Sequence, residues 1–294
     1  MLKNTSITIH TIQPSRNDIF EFTNLKKDIA SQITLNEVGC AGHSELAYLE
    51  DTLDWLLNDS QKNSIHVQQK ELYDKEQVSK VILGVFKKCQ KHLTSKNTTH
   101  VYVFPTWSDF VREKMDGVSG FTPWKNTIII GLYGNSINVQ ELERTISHEY
   151  THSLSYEKWT CSMVDTAIIF EGLAEVFSET IMKSPSTFTK VFDKKQAFTY
   201  YKSLPKELRE STDTEKQREL FTGGKIHPLW AGYAIGYYLV KDYIHNNPIR
   251  WQELINKDPQ KILKKNHVVL HGFYDFHIQF LLSATARVLR QQSL

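Results

Sequence analysis

The chain has 294 residues, of which 40% are hydrophobic and 23% charged, enough for one large folded domain or two closely joined ones. A formal net charge of +2 gives no electrostatic reason to expect nucleic acid or a membrane surface as a partner. Three widely spaced cysteines, Cys40, Cys89 and Cys161, make no disulfide framework and fit a reducing cytoplasm; Met1 to Ser6 shows no apolar signal region, and no run reaches the ~18–20 apolar residues of a membrane span.

Residues 5–12 alternate and predict a short strand, and 17–33 a helix. From Ser31 to Gln61 there are six acidic residues and no Lys or Arg, while Leu46, Leu49, Leu53 and Leu56 keep helical spacing. That pattern is a core-facing stripe with a solvated acidic back in preference to an interaction surface. Cys40 and His43 lack a second ligand pair and are not read as a metal site. Residues 74–93 predict an amphipathic helix through Val78, Val81, Ile82, Val85, Phe86, Cys89 and Leu93. Residues 1–97 thus form a mainly helical N-terminal region without a chemical motif. Residues 98–294 carry the chemistry, as a second region or as part of one continuous domain.

His100 to Phe104 predicts a strand ended by Pro105. Asp116 to Pro123, with Gly117 and Gly120, reads as a glycine-rich loop that lacks the lysine and the context of a phosphate cradle. Thr127 to Leu132 reads as a strand just ahead of the next helix. That helix is announced by Asn138 as cap, Glu141 three residues on, and the apolar stripe Leu142, Ile146 and Tyr150.

The helix contains His148-Glu149-Tyr150-Thr151-His152, an H-E-x-x-H motif. Residues four apart share a helix face with Cβ atoms roughly 5–6 Å apart, so both imidazoles can reach one tetrahedral ion. Glu149 is turned about 100° from His148 and about 60° from His152, which places its carboxylate beside the metal as a base for its water. A third ligand is needed. It is found at Glu171, after the 18 residues 153–170, within a second predicted helix from Val164 to Thr180 buried through Ile168, Ile169, Leu173, Val176 and Phe177. Two histidines and a carboxylate with an open fourth position form a catalytic zinc pattern. Gly172 costs helix stability of about 1 kcal/mol, which points to close approach of these two helices. Glu175, one turn after Glu171, is placed to accept the far ring N–H of a ligand histidine, His148 in preference.

HEYTH, this gap and the Glu171-Gly172-Leu173-Ala174-Glu175 segment resemble the gluzincin zinc peptidases and, more narrowly, the bacterial YjaZ-like family of predicted zinc-dependent proteases. The resemblance spans about residues 98–245. It implies one Zn2+ per chain held by His148, His152 and Glu171, with Glu149 as base, and a zincin-like fold. In such a fold a strand like Thr127–Leu132 lies at the sheet edge along the substrate cleft; read from its residues alone it is equally an ordinary buried strand.

Ser184 to Phe221 is polar and helical in patches, a connector in preference to a lid. His227 to Val240 predicts an apolar helix in which Gly232 and Gly236 permit tight packing and Tyr233 and Tyr237 share a face. Gluzincins commonly take an oxyanion donor from a Tyr or His some sixty residues past the ligand glutamate, so the resemblance makes Tyr233 the first candidate and Tyr237 the second, with His227 in reserve. Either tyrosine is otherwise a core residue with a satisfied hydroxyl. Residues 248–265 read as short helices broken by Pro248 and Pro259, and the remainder to about Arg290 as a last amphipathic helix. His267 and His271 have no carboxylate between them and are not read as a second site; His245 and His277 have no partner at ligand spacing.

The expected protein is α+β, mostly helical, with a small sheet beside the metal helix and a cleft between that helix and the C-terminal helical part. The expected activity is zinc-dependent hydrolysis of peptide bonds in a peptide or protein substrate. The alternatives are a zincin-fold binding module or chaperone-like protein, disfavoured by the intact Glu149, and a zinc hydrolase of a non-peptide amide. Neither preference around the scissile bond nor oligomeric state is legible.

Overall fold

A computed structural model describes residues 6–11, 72–123, 125–155 and 163–266. The readings made for 17–33, the acidic segment, Cys40 and His43, Cys161, His267, His271 and His277 lie outside them. The described residues form an α+β structure, mostly helical, with one four-stranded sheet.

The sheet order is β1-β2-β4-β3, with β1 at Ile7–Thr11, β2 at Thr99–Thr106, β3 at Val118–Phe121 and β4 at Thr127–Tyr133. β1, β2 and β4 run parallel, and β3 pairs antiparallel with β4, Gly120 opposite Ile130. Two expectations are corrected here. Pro105 does not end its strand: β2 runs on to Thr106 along β4, and among the described residues β1 pairs as far as Val103, so no described β1 pair loses a bond to the proline. The edge position beside the H-E-x-x-H helix belongs to β3, built from the segment read as a loop, while β4 is an inner strand. Asp116 and Gly117, both at positive φ, make the turn that lets so short a strand fold back.

Between β1 and β2, α1 (Lys75–Cys89) is capped by the Asp74 carboxylate and buries Val78, Ile82, Val85, Phe86 and Cys89. A short α2 (Asp109–Lys114) leads into β3. The motif helix is α3 (Val139–Ser155), and Asn138 accepts from the Glu141 amide as its sequence predicts. The second helix is α4 (Val164–Met182), closed by Lys183 in the left-handed conformation. The expected connector is a 3-10 turn at Phe188–Val191 followed by α5 (Lys194–Ser203), α6 (Lys206–Arg209) and α7 (Thr214–Thr222). The apolar helix α8 (Ala231–Asn246) starts later than expected, after Trp230 at φ 68°; α9 (Trp251–Leu254) and a helical stretch at 259–266 follow.

Burial divides these elements into two apolar clusters. One joins the sheet, α1 and α3 around Phe86, Ile130, Leu142, Ile146 and Tyr150; the other joins α4, α5, α7 and α8 around Ile168, Leu173, Leu220 and Ile235. α4 contributes to both, with Phe177 and Ile181 in the first and Ile168, Leu173 and Val176 in the second. It is therefore the wall on which the sheet half and the helical half meet. Gly172 and Gly236 let α4 and α8 touch backbone to backbone: a Cβ on Gly172 would lie 2.2 Å from the Gly236 carbonyl oxygen. The close approach expected at Gly172 between the motif helix α3 and α4 is corrected: the backbone facing Gly172 is that of Gly236 on α8.

Candidate metal centre

The sequence places His148 and His152 on one face of α3 and Glu171 on the first half of α4, and packing of the two helices brings all three to one point. His148 Nε2 and His152 Nε2 are 2.9 Å apart, and the Glu171 Oε2 atom is 3.1 Å from the first and 3.2 Å from the second. Donors about 2.05 Å from a tetrahedral zinc stand about 3.3–3.4 Å from one another, so the triangle matches a tetrahedral face to within a few tenths of an ångström. Among the described residues this is the one group of three His, Cys, Asp or Glu donors able to share an ion.

The chemistry of the donors fits the same occupant. His148 Nδ1 lies 3.0 Å from Glu175 Oε1, which fixes the ring proton there and turns the Nε2 lone pair toward the triangle. Glu149, Glu171 and Glu175 put three carboxylates around two imidazoles in a largely buried setting, and buried carboxylates need cations. Positive charge is accordingly favoured there. Burial acts to lower the His148 pKa, but hydrogen bonds and charge from Glu171 and Glu175 raise it well above the ordinary imidazole value. Burial acts to raise Glu171, but the charges and hydrogen bonds of His152 and His148 hold it well below the carboxylate range. His152 differs from His148: its Nδ1 is buried without a hydrogen-bond partner among the described residues, and the ring packs on Phe170, with centroids 4.0 Å apart.

Glu149 points from the same helix toward the sheet edge. The Thr122 hydroxyl donates to its Oε2 at 2.8 Å, and a Cβ on Gly120 would come within 2.7 Å of its Cγ. Burial raises its pKa, the charges of His148 and His152 and the Thr122 hydrogen bond oppose that, and Glu171 adds to it. A carboxylate with raised proton affinity, within electrostatic reach of His148, His152 and Glu171, is suited to take up and return a proton.

The structure separates the two tyrosines. The Tyr233 ring lies 6.1 Å from that of His148, packed among Phe188, Phe221 and Trp230, and its hydroxyl makes no hydrogen bond to a described residue. Burial and then the charges of Glu171, Glu149 and Glu175 raise its pKa well above the usual phenol value, so it stays an O–H donor. One turn on, the Tyr237 hydroxyl donates to Glu179 at 3.1 Å and accepts from Lys241 at 2.5 Å, which commits it to a network away from the three ligands. His227 is engaged with the Tyr200 hydroxyl at 2.9 Å.

A family model described as "Predicted Zn-dependent protease (DUF2268)" matches residues 78–264, which hold every residue of the candidate site. The chain belongs to this family. No curated protein and no solved structure matches it. Among the described residues, no helix is long and apolar enough to cross a membrane. The match takes in α1 from Val78 onward, all of the sheet but β1, and the helices α3 and α4 that carry His148, His152 and Glu171. Thr122, Phe170 and Ser186, which touch Glu149, His152 or Glu175, were given no role in the sequence, and Gly120, which packs on Glu149, was read only as part of a loop. Phe170 adjoins a candidate ligand, a visible signal; a lone threonine or serine gives none.

Proposed function

We propose that the chain is a zinc-dependent metallopeptidase of gluzincin type with a zincin-like catalytic region, acting on peptide or protein substrates with one Zn2+ per chain. The observation that carries this reading is the convergence of His148 Nε2, His152 Nε2 and Glu171 Oε2, with the buried Glu149 carboxylate in electrostatic reach of all three residues. A zinc ion held by these donors would supply Lewis-acid activation of water and of the scissile carbonyl. Glu149 takes a proton from the attacking water and returns it to the leaving amine. Glu175 keeps the His148 proton on Nδ1. Tyr233 donates to the oxygen that gains charge as the carbonyl is attacked, and its raised pKa keeps that proton in place.

The test is cleavage of a mixed peptide library by wild type and Glu149→Gln. The wild type cuts, and the variant loses a factor on the order of 10²–10⁴ in rate while retaining zinc. Equal cleavage by both proteins, or zinc without cleavage of any peptide, would reject the peptidase reading.

A further inference from the structure

Behind the three ligands, the turn that leaves α4 folds back onto both ligand helices. Lys183 reverses the chain at φ 60°, and Ser184 and Ser186 then meet opposite partners. Arg144, one turn before His148 on α3, donates through Nη1 to the Ser184 carbonyl at 2.9 Å and through Nη2 to its hydroxyl at 3.2 Å. Glu141 holds the same guanidinium, 3.3 Å from Nε. Ser186, only 3% exposed, donates its hydroxyl to Glu175 Oε2 at 2.5 Å. The other oxygen of that carboxylate faces His148 Nδ1. Both oxygens of Glu175 are thus engaged, one by the ligand histidine and one by the turn that Arg144 pins.

We propose that Ser186 is a positioning residue for the metal centre: it fixes the Glu175 carboxylate, and through it the His148 ring, in the orientation that presents Nε2 to the ion. Without the hydroxyl, a buried carboxylate oxygen has no donor and the group is free to turn about its last torsion, which loosens the one hydrogen bond that orients His148. Arg144 acts one step further back, by keeping Ser184 and therefore Ser186 in place. The inference rests on the zinc reading above but concerns affinity, so it is testable without any substrate.

The experiment is competition for Zn2+ against a chromophoric chelator, with full-length wild type, Ser186→Ala, Glu175→Ala and the double variant. Loss of a group supporting a ligand histidine weakens metal binding about 10- to 100-fold. Ser186→Ala is expected at the lower end of that range, with the double variant no weaker than Glu175→Ala alone, because Ser186 acts only through Glu175. Arg144→Gln weakens binding in the same direction. Should Ser186→Ala not accumulate as folded protein, Ser186→Cys, nearly isosteric and a weaker donor, is put through the same titration. Binding within twofold of wild type, or losses that multiply in the double variant as a general packing defect would make them, overturns the proposal alone. A wild type without zinc affinity overturns the metal reading and this inference with it.

Discussion

Replacing Gly172 by alanine sets helix propensity against packing, and the geometry of α4 and α8 says that packing wins. In a helix interior the change by itself favours folding by about 1 kcal/mol. Here the new Cβ would stand 2.2 Å from the Gly236 carbonyl oxygen and 2.3 Å from its carbon, whereas ordinary contact begins at 3.4 Å. The obstruction is main chain, so no rotamer change relieves it; the two helices must part by on the order of 1 Å across a close-packed interface. Overpacking of that kind costs about 1–3 kcal/mol and occasionally more, and with rigid backbone on both sides the upper part of the range applies. The net result is a loss of about 1–2 kcal/mol, or a melting temperature lower by several degrees at about 2–4 °C per kcal/mol. Because Glu171 adjoins the crossing and Tyr233 lies across it, zinc affinity falls as well. Thermal melting and a zinc titration of Gly172→Ala read both effects. A variant as stable as wild type, or more so, would refute the backbone contact.

The two tyrosines differ in what their hydroxyls do, so Tyr233→Phe lowers kcat by a factor on the order of 10²–10³ with KM little changed, whereas Tyr237→Phe stays near wild type. Equal losses would show that they are not distinguished as described. The Thr122 hydroxyl favours the ionised form of Glu149, so Thr122→Val raises that proton affinity and moves the acidic limb of the pH–rate profile to higher pH. Thr122→Ser, which keeps the hydroxyl, leaves the limb in place; a limb unmoved in the valine variant would detach Thr122 from the base.

The three converging side chains were legible because each signal is local: an i, i+4 histidine pair on a helix with a readable cap, and a glutamate inside a second apolar helix. The α+β class and most helix positions followed from the same periodicities. What could not be read depends on partners distant in the chain. Val118–Phe121 is four residues with a glycine, a loop by composition, and becomes a strand only because β4 lies beside it. Gly172 announced a close contact without naming Gly236. Tyr233 and Tyr237 share a face on a helical wheel and are told apart only by their partners, Glu179 on α4 and Lys241 one turn on along α8 claiming the second. Ser186 is a serine on a turn until the chain reversal at Lys183 delivers it to Glu175.

The central claim is that α3 and α4 jointly hold one metal ion, and metal content by mass spectrometry tests it most directly. Wild type is expected to carry one zinc per chain and Glu171→Ala to lose it, since two histidines alone leave the site a ligand short. A one-to-one zinc content that survives removal of Glu171 would contradict the account.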